Sequence, residues 1–141
     1  MTGLSLCVLI VEDEFFIAEM LSLQVEEMGL KVCGVSATAD HAIVMAQEHR
    51  PAVVLMDMRL RGERDGVDAA LVIHETVGSK VIFITGSREP ETISRISLDH
   101  PFAVLFKPLA EGQLRGIVTD AFGPAMPAAP LAGSATESGS A

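Results

Sequence analysis

Several ionisable side chains in this sequence follow directly after short apolar runs. Glu12 and Asp13 follow one run, Asp57 follows another, and Lys107 follows the last. If the three carboxylates met at one place, they would repel one another unless a cation compensated them. A cluster of oxygen ligands suits a hard divalent ion such as Mg²⁺, which takes one or two carboxylates and keeps several waters. These residue types therefore predict a magnesium site.

Phosphoryl transfer to an aspartate is the chemistry that such a site supports. Asp57 would attack the phosphorus atom, while the Thr85 hydroxyl and the Lys107 ammonium would bind the phosphoryl oxygens. Gly86, which follows Thr85, would leave room for the incoming group. Each residue alone also has a plainer explanation. The acidic residues 12–14 suit an ordinary helix start, and Lys107 suits an ordinary surface position.

Five apolar runs, separated by longer amphipathic stretches, position these residues. The runs are rich in Val, Ile, Leu and Phe, as expected for parallel strands that are buried on both faces. They are Leu6–Val11, Leu30–Val35, Val53–Met56, Val81–Ile84 and Ala103–Phe106. Their alternation with helices predicts an α/β fold with a doubly wound, five-stranded parallel sheet and helices on both faces. In such sheets ligands bind beyond the carboxyl ends of the strands, which is where the candidate residues lie.

Amphipathic segments fill the intervals between the apolar runs. The predicted helices are Ile17–Met28, Asp40–His49, Val67–Val77, Glu89–Leu98 and Glu111–Phe122. Gly29 and Gly78 act as stops after two of them, and Pro51 prevents another from continuing. The fourth helix is the most polar. The helices and strands together account for the chain up to Phe122.

The length and charge of the chain exclude several classes of protein. With 141 residues, of which 49% are hydrophobic, the chain predicts one globular domain. Small residues and Pro dominate its end, so we predict a domain over residues 1–122 and a flexible tail over residues 123–141. A net charge of −9 opposes binding to nucleic acid or to anionic lipid.

The sequence also predicts a cytoplasmic location. No apolar stretch approaches the roughly 18 residues that indicate a membrane span, and the N-terminus lacks the basic region of a signal peptide. Cys7 and Cys33 sit within apolar runs and are expected to be reduced. The four histidines fall on separate predicted elements without ligand spacing, so none is expected to carry phosphate.

The order of these motifs resembles the receiver domain of bacterial two-component response regulators. The resemblance covers residues 6–122, and its motifs are Glu12–Asp13, Asp57, Asp65–Gly66, Phe83–Gly86 and Phe106–Pro108. Each motif alone is weak, but the whole set in this order is highly specific. The resemblance implies a flavodoxin-like fold with strand order 2-1-3-4-5. It also points to a stand-alone subgroup of receivers found in alphaproteobacteria.

The resemblance implies a role for each site residue. Asp57 would be the phosphoacceptor, and Thr85 and Lys107 would form the switch pair. The ligands of Mg²⁺ would be Glu12, Asp13, Asp57 and the backbone carbonyl of Arg59. The Lys107–Pro108 peptide bond would be cis, as the small trans preference of X-Pro bonds permits.

The resemblance also implies partners. Phosphate would come from a histidine kinase or a histidine phosphotransfer protein, and an unknown downstream protein would bind the phosphorylated form. A homodimer through helix four, strand five and helix five is a further option. Few residues follow Phe122, so we expect a single-domain regulator, with a receiver cut from a hybrid histidine kinase as the alternative. The chain would be no enzyme beyond its own phosphorylation and slow dephosphorylation.

Three features depart from the usual pattern of the family. Val104 stands three residues before the strand-five lysine, where the family commonly has Tyr or Phe, so another element would read out the switch. Leu60 and Arg61 replace the usual Met-Pro and begin a charged loop. Arg59 and Ser87 occupy positions that tune the lifetime of the phosphate in such domains.

Two other classes of function share parts of this pattern. Metal-dependent phosphatases of the dehalogenase type also use an aspartate at the end of a strand. These enzymes share a second Asp two residues later, which acts as a general acid. Arg59 stands there in this sequence, and without a positioned acid or base the hydrolysis of phospho-Asp57 would be slow. A flavodoxin-like cofactor carrier is disfavoured by the acidic first turn and by the absence of Trp and Tyr.

Overall fold

Five β-strands alternate with five α-helices within residues 3–127, which the computed structural model describes. The strands are β1 (Ser5–Val11), β2 (Lys31–Ser36), β3 (Pro51–Asp57), β4 (Lys80–Thr85) and β5 (Ala103–Phe106). The helices are α1 (Phe15–Glu27), α2 (Ala39–His49), α3 (Gly66–Thr76), α4 (Pro90–Ser97) and α5 (Gln113–Phe122). None of the helices in this range is both long and apolar enough to cross a membrane.

The strands form one parallel sheet in the order β2-β1-β3-β4-β5. The last five residues of β1, β3 and β4 are buried in each case, which explains why these runs are almost continuously apolar. The order reverses between β1 and β3, so a crevice opens at the carboxyl ends of these two strands. The predicted doubly wound, flavodoxin-like fold with strand order 2-1-3-4-5 is confirmed.

Two apolar layers cover the two faces of the sheet. Val8 and Ile10 of β1 face the layer that contains the buried side chains of α1 and α5. Leu9 and Val11 point the other way, toward α2 and α3, because successive side chains of a strand alternate between the faces. Helix α4 adds only Ile96 to this second layer. The two layers hold the strand ends in fixed relative positions.

Some helix limits differ by one or two residues from the prediction. Helix α5 begins at Gln113 rather than Glu111, because Gly112 has a φ of 80° and this left-handed conformation does not continue a helix. Helix α3 begins at Gly66, one residue early, because the side chain of Asp65 caps it. The predicted order of elements is unaffected.

The predicted domain boundary at Phe122 stays a prediction. The chain continues into a 3₁₀ turn over Gly123–Ala125, and the side chain of Met126 packs against the core layer of α1 and α5. Apolar contact with the core thus continues a few residues past Phe122. Residues 128–141 of the predicted tail lie outside the described residues.

Both cysteine thiols are free, as predicted. Cys7 is buried in β1, and Cys33 is half-buried in β2. The thiol of Cys33 lies 3.6 Å from the backbone carbonyl of Val8, and burial raises the pKa of this thiol to about 12. A thiol with so high a pKa is a poor nucleophile, so Cys33 has a packing role.

Candidate functional site

The carboxyl ends of four strands bring the predicted site residues to one edge of the sheet. Glu12 follows β1, Asp57 ends β3, Thr85 ends β4 and Lys107 follows β5. The backbone amide of Lys107 donates to the carbonyl of Thr85 over 2.8 Å, which ties the ends of β4 and β5 together. Asp57, Thr85 and Lys107 line a cavity of about 500 Å³. The peptide bond that joins Lys107 to Pro108 is cis, as the resemblance implied.

Glu12, Asp13 and Asp57 form a compact acidic cluster at this cavity. One carboxylate oxygen of each residue lies within 4.8 Å of the others. Glu12 and Asp57 are buried, and Asp13 is half-buried. This spacing lies within reach of a single bridging cation. The structure therefore brings together the three carboxylates predicted as metal ligands, while the part assigned to the Arg59 carbonyl stays a prediction.

Lys107 adds a positive charge beside the acidic cluster. Its Nζ lies 3.1 Å from Oε1 of Glu12 and 3.6 Å from Oδ1 of Asp57. Burial lowers the pKa of Lys107, but the negative charges of Asp57 and Glu12 outweigh burial and raise this pKa overall. The ammonium group therefore stays charged. If all three carboxylates are ionised, they and the one ammonium leave an excess of two negative charges, which a divalent cation would balance.

Burial and a neighbouring negative charge raise the pKa of Asp57. Burial and then the negative charge of Glu12 raise this pKa from 3.8 to about 7, against the lowering effects of Lys107 and the Arg59 backbone amide. The protein alone therefore stabilises the ionised carboxylate of Asp57 incompletely. A bound cation would stabilise that ionised form, which is the nucleophilic one.

A chain of hydroxyl groups links Thr85 to α4. The Oγ1 of Thr85 accepts a hydrogen bond from the backbone amide of Ser87 over 3.1 Å. The Oγ of Ser87 lies 3.3 Å from Oγ1 of Thr92 on α4, and it accepts from the amide of Glu89 over 3.2 Å. Any movement of the Thr85 hydroxyl toward the cavity would therefore affect the start of α4.

The first residue of α3 packs directly against the backbone of Asp57. The amide of Gly66 donates to the carbonyl of Met58 over 2.9 Å. A Cβ atom at position 66 would collide with the carbonyl oxygen of Asp57. Only glycine allows this approach, so Gly66 positions the candidate nucleophile through its backbone.

Arg95 of α4 binds the start of α3, and the sequence analysis missed it. Its guanidinium donates two hydrogen bonds to Asp65 and one to Asp68, each 3.1 Å long. These two aspartates form the capping box of α3. Burial raises the pKa of Asp65, but the hydrogen bonds from Arg95 and the α3 amides outweigh burial and lower this pKa overall. A lone arginine on a polar helix gave no sequence signal of this contact.

Two exposed arginines lie at the mouth of the cavity. Arg59 follows β3 at the position that the sequence analysis considered, and Arg88 lies in the loop before α4. The guanidinium carbon of Arg88 lies 4.1 Å from the ring centroid of Phe106 on β5, which is a cation–π contact. Neither Arg88 nor this contact could be predicted from the sequence, because the spacing of an arginine in a loop does not indicate its partner.

Comparison with known proteins identifies similar sequences along most of the chain. A model of the response regulator receiver domain family matches residues 8–119. The chain is 33% identical over 115 residues to the phyllosphere-induced regulator PhyR of Methylorubrum extorquens, covering 81% of this chain and 42% of PhyR. It is 30% identical over 107 residues to the transcriptional regulatory protein PdtaR of Mycobacterium tuberculosis, covering 76% of this chain and 52% of PdtaR. The chain thus spans about half the length of the curated relatives it matches.

Solved structures show the same fold. The signal receiver domain of a modulated diguanylate cyclase from Desulfovibrio desulfuricans is 37% identical and superposes with a TM-score of 0.77, covering 81% of this chain and 90% of that one. The N-terminal domain of a response regulator from Carboxydothermus hydrogenoformans is 30% identical with a TM-score of 0.73, covering 81% of this chain and 91% of that one.

Proposed function

Because the chain belongs to the response regulator receiver domain family, we propose that it accepts a phosphoryl group on Asp57 and signals through phosphorylation-dependent protein binding. The observation that best supports this proposal is the placement of Asp57 at the cavity. Its carboxylate belongs to the acidic cluster and lies 3.6 Å from the ammonium of Lys107. An aspartate placed in this way has groups beside it for a metal ion and for phosphoryl oxygens.

The residues of the acidic cluster fit a hard divalent cation. The three carboxylates lie close together, carry more negative charge than Lys107 balances, and offer only oxygen ligands. We propose that Glu12, Asp13, Asp57 and the Arg59 carbonyl hold Mg²⁺. The ion would supply positive charge that offsets the negative charge of the phosphoryl oxygens.

The side chains of this protein would carry out the transfer itself. An oxygen of Asp57 attacks the phosphorus atom of a phosphohistidine, and the bond between phosphorus and the imidazole nitrogen breaks. The leaving nitrogen keeps the electron pair, so the products are an acyl phosphate and a neutral histidine after proton uptake. Lys107 binds one phosphoryl oxygen as charge develops, and the Thr85 hydroxyl binds another.

The same side chains do not favour a phosphatase. Hydrolysis of an acyl phosphate needs a positioned acid or base, and the second aspartate of dehalogenase-type phosphatases is replaced here by the exposed Arg59. We therefore propose a signalling domain rather than an enzyme with turnover. The phosphodonor would be a histidine kinase or a histidine phosphotransfer protein, and this exchange requires the predicted cytoplasmic location.

The output of the phosphorylated form would be binding to another protein. We propose a single-domain regulator that acts through a downstream partner, with a homodimer through α4, β5 and α5 as a second form of output. A receiver that is part of a longer protein is the alternative. The mass of the protein purified from its source distinguishes the two, because only the alternative predicts a chain longer than 141 residues.

Labelling with acetyl phosphate tests the proposed function. We expect intact-mass spectrometry to show the addition of one phosphoryl group in the presence of Mg²⁺ and none in the presence of EDTA. The Asp40→Asn variant is the matched control, because Asp40 is exposed and belongs neither to the acidic cluster nor to the lining of the cavity. Labelling that is equally strong with Mg²⁺ and with EDTA would contradict the proposal. Sustained release of phosphate from p-nitrophenyl phosphate would favour the phosphatase instead.

A further inference from the structure

Phe106 and Val104 lie on the same face of β5, because side chains two residues apart point to the same face of a strand. Phe106 therefore supplies an aromatic ring on the face where position 104 has none. Val104 pairs with Phe83, and Phe106 pairs with Thr85, the last residue of β4. The ring of Phe106 therefore lies two residues nearer the carboxyl end of β5, and so nearer the proposed phosphoacceptor cavity, than a ring at position 104 would.

Arg88 connects this ring to the cavity. Its guanidinium carbon lies 4.1 Å from the ring centroid of Phe106, and the same residue lines the cavity together with Asp57, Thr85 and Lys107. Within residues 3–127 no ion pair involves Arg88. At an exposed site a cation–π contact is weak, so an anion that arrives in the cavity competes for this guanidinium effectively.

Phosphorylation would create that competing anion. With a divalent ion in place, the three carboxylates and Lys107 are balanced in charge. Conversion of the Asp57 carboxylate to an acyl phosphate adds one negative charge, which neither the divalent ion nor Lys107 compensates. Guanidinium groups bind phosphoryl oxygens through two parallel hydrogen bonds, which are stronger than a cation–π contact of an exposed arginine.

We propose that Arg88 reads the phosphorylation state, packing on Phe106 while Asp57 is unmodified and turning to the phosphoryl oxygens once Asp57 is phosphorylated. The exchange uncovers the ring of Phe106 at the edge of β5. Arg88 is followed by Glu89 and by the first residue of α4, so the exchange also shifts the start of that helix. This inference rests on the proposed phosphorylation of Asp57.

A single tryptophan at position 106 makes the exchange measurable. The chain contains no Trp or Tyr, so the fluorescence of the Phe106→Trp variant comes from that ring alone. Tryptophan also retains the cation–π contact. We expect Mg²⁺ with beryllofluoride, a phosphoryl mimic, to increase the quenching of this fluorescence by acrylamide several-fold, because the ring loses its cover.

Two further substitutions in the Phe106→Trp background isolate the part of Arg88. With Arg88→Met we expect strong quenching before and after the mimic is added, and several-fold weaker binding of the mimic. Arg88→Lys restores charge but not the paired hydrogen bonds, so part of the response returns. Arg61→Met removes an equal charge from a residue that does not line the cavity, and its quenching follows the parent variant.

The outcomes separate this inference from the proposed function. Acetyl phosphate labelling of the Phe106→Trp variant is measured on the same samples. Labelling without any change in quenching would overturn the role of Arg88 and leave the phosphoacceptor proposal standing. A quenching response that persists in Arg88→Met would also overturn it. No labelling at all would remove both proposals.

Discussion

The ammonium nitrogen of Lys107 lies 3.6 Å from a carboxylate oxygen of Asp57, although two strands and two helices separate the two residues along the chain. The same nitrogen lies 3.1 Å from Glu12. Lys107 therefore contacts two members of the acidic cluster at once. Without a metal ion it is their counter-charge, and with a phosphoryl group it would bind the oxygens of that group.

Replacing Lys107 should affect metal binding and phosphorylation in opposite directions. We expect Lys107→Met to raise the affinity for Mg²⁺ several-fold, because the ammonium no longer opposes a second cation in the cluster. The rate of labelling by acetyl phosphate should fall at saturating Mg²⁺. Calorimetric titration and timed mass spectra measure the two effects. Lys31→Met, at an exposed position of β2, should change neither; weaker Mg²⁺ binding by Lys107→Met would contradict the assigned geometry.

Removing the charge of Asp57 should stabilise the metal-free protein. Asp57 is buried beside Glu12, so Asp57→Asn removes the cost of burying a charge and relieves repulsion, and it should increase the free energy of unfolding by about 1 kcal/mol in EDTA. Addition of Mg²⁺ should narrow this difference, because the ion stabilises the original protein more than the variant. Urea unfolding with and without Mg²⁺ measures both values. A variant that is less stable than the original protein in EDTA would show that the cluster is not under repulsion.

Gly66 should tolerate no side chain. We expect Gly66→Ala to lower the free energy of unfolding by about 2 to 3 kcal/mol, because the added Cβ would collide with the Asp57 carbonyl and force the backbone apart. Labelling of Asp57 should slow as well. Gly116→Ala in α5 is the matched control, because a Cβ there meets nothing within 4 Å. It should stabilise the protein by up to about 1 kcal/mol. Equal effects of the two substitutions would refute the close approach at Gly66.

The contact of Arg95 with Asp65 should contribute stability that depends on pH. We expect Arg95→Gln to reduce the free energy of unfolding by about 0.5 to 1 kcal/mol at pH 7, because both partners are partly exposed. The pKa of Asp65 is lowered in the folded protein, so this stability is present above its unfolded pKa. It is lost as the pH falls through the folded value.

The difference in the free energy of unfolding between the original protein and Arg95→Gln should therefore decrease below about pH 4. Thermal unfolding at several pH values measures it. Arg64→Gln serves for comparison, because its partner Asp40 is 79% exposed and the pair should contribute less. If the stability difference between the original protein and Arg95→Gln stayed constant down to pH 2, an ion pair could not be the cause of that difference.

The sequence predicts the sheet because strands that are buried on both faces are almost continuously apolar. Five apolar runs and the stops between them identify each strand and helix, and parallel alternation restricts the topology to a doubly wound sheet. The site residues follow the same logic. Glu12, Asp57, Thr85 and Lys107 each stand at the end of a run, and the fold brings such ends to one edge.

The contacts that the sequence did not predict are side-chain contacts between distant elements. Arg95 binds Asp65 and Arg88 covers Phe106 because of where α4 and the loop before it lie in space. Residue spacing carries no information on such pairs. The contact of Met126 with the core also depends on tertiary packing, so the sequence did not predict it.

The identity of the phosphorylated atom is the most direct test of the central claim. Borohydride reduces an acyl phosphate of aspartate to homoserine, and peptide mass spectrometry then locates the modified residue. After labelling with acetyl phosphate and Mg²⁺, we predict homoserine at position 57 and at no other aspartate of the chain. Homoserine at Asp13 or another aspartate, with position 57 unchanged, would contradict the assignment of Asp57 as the phosphoacceptor.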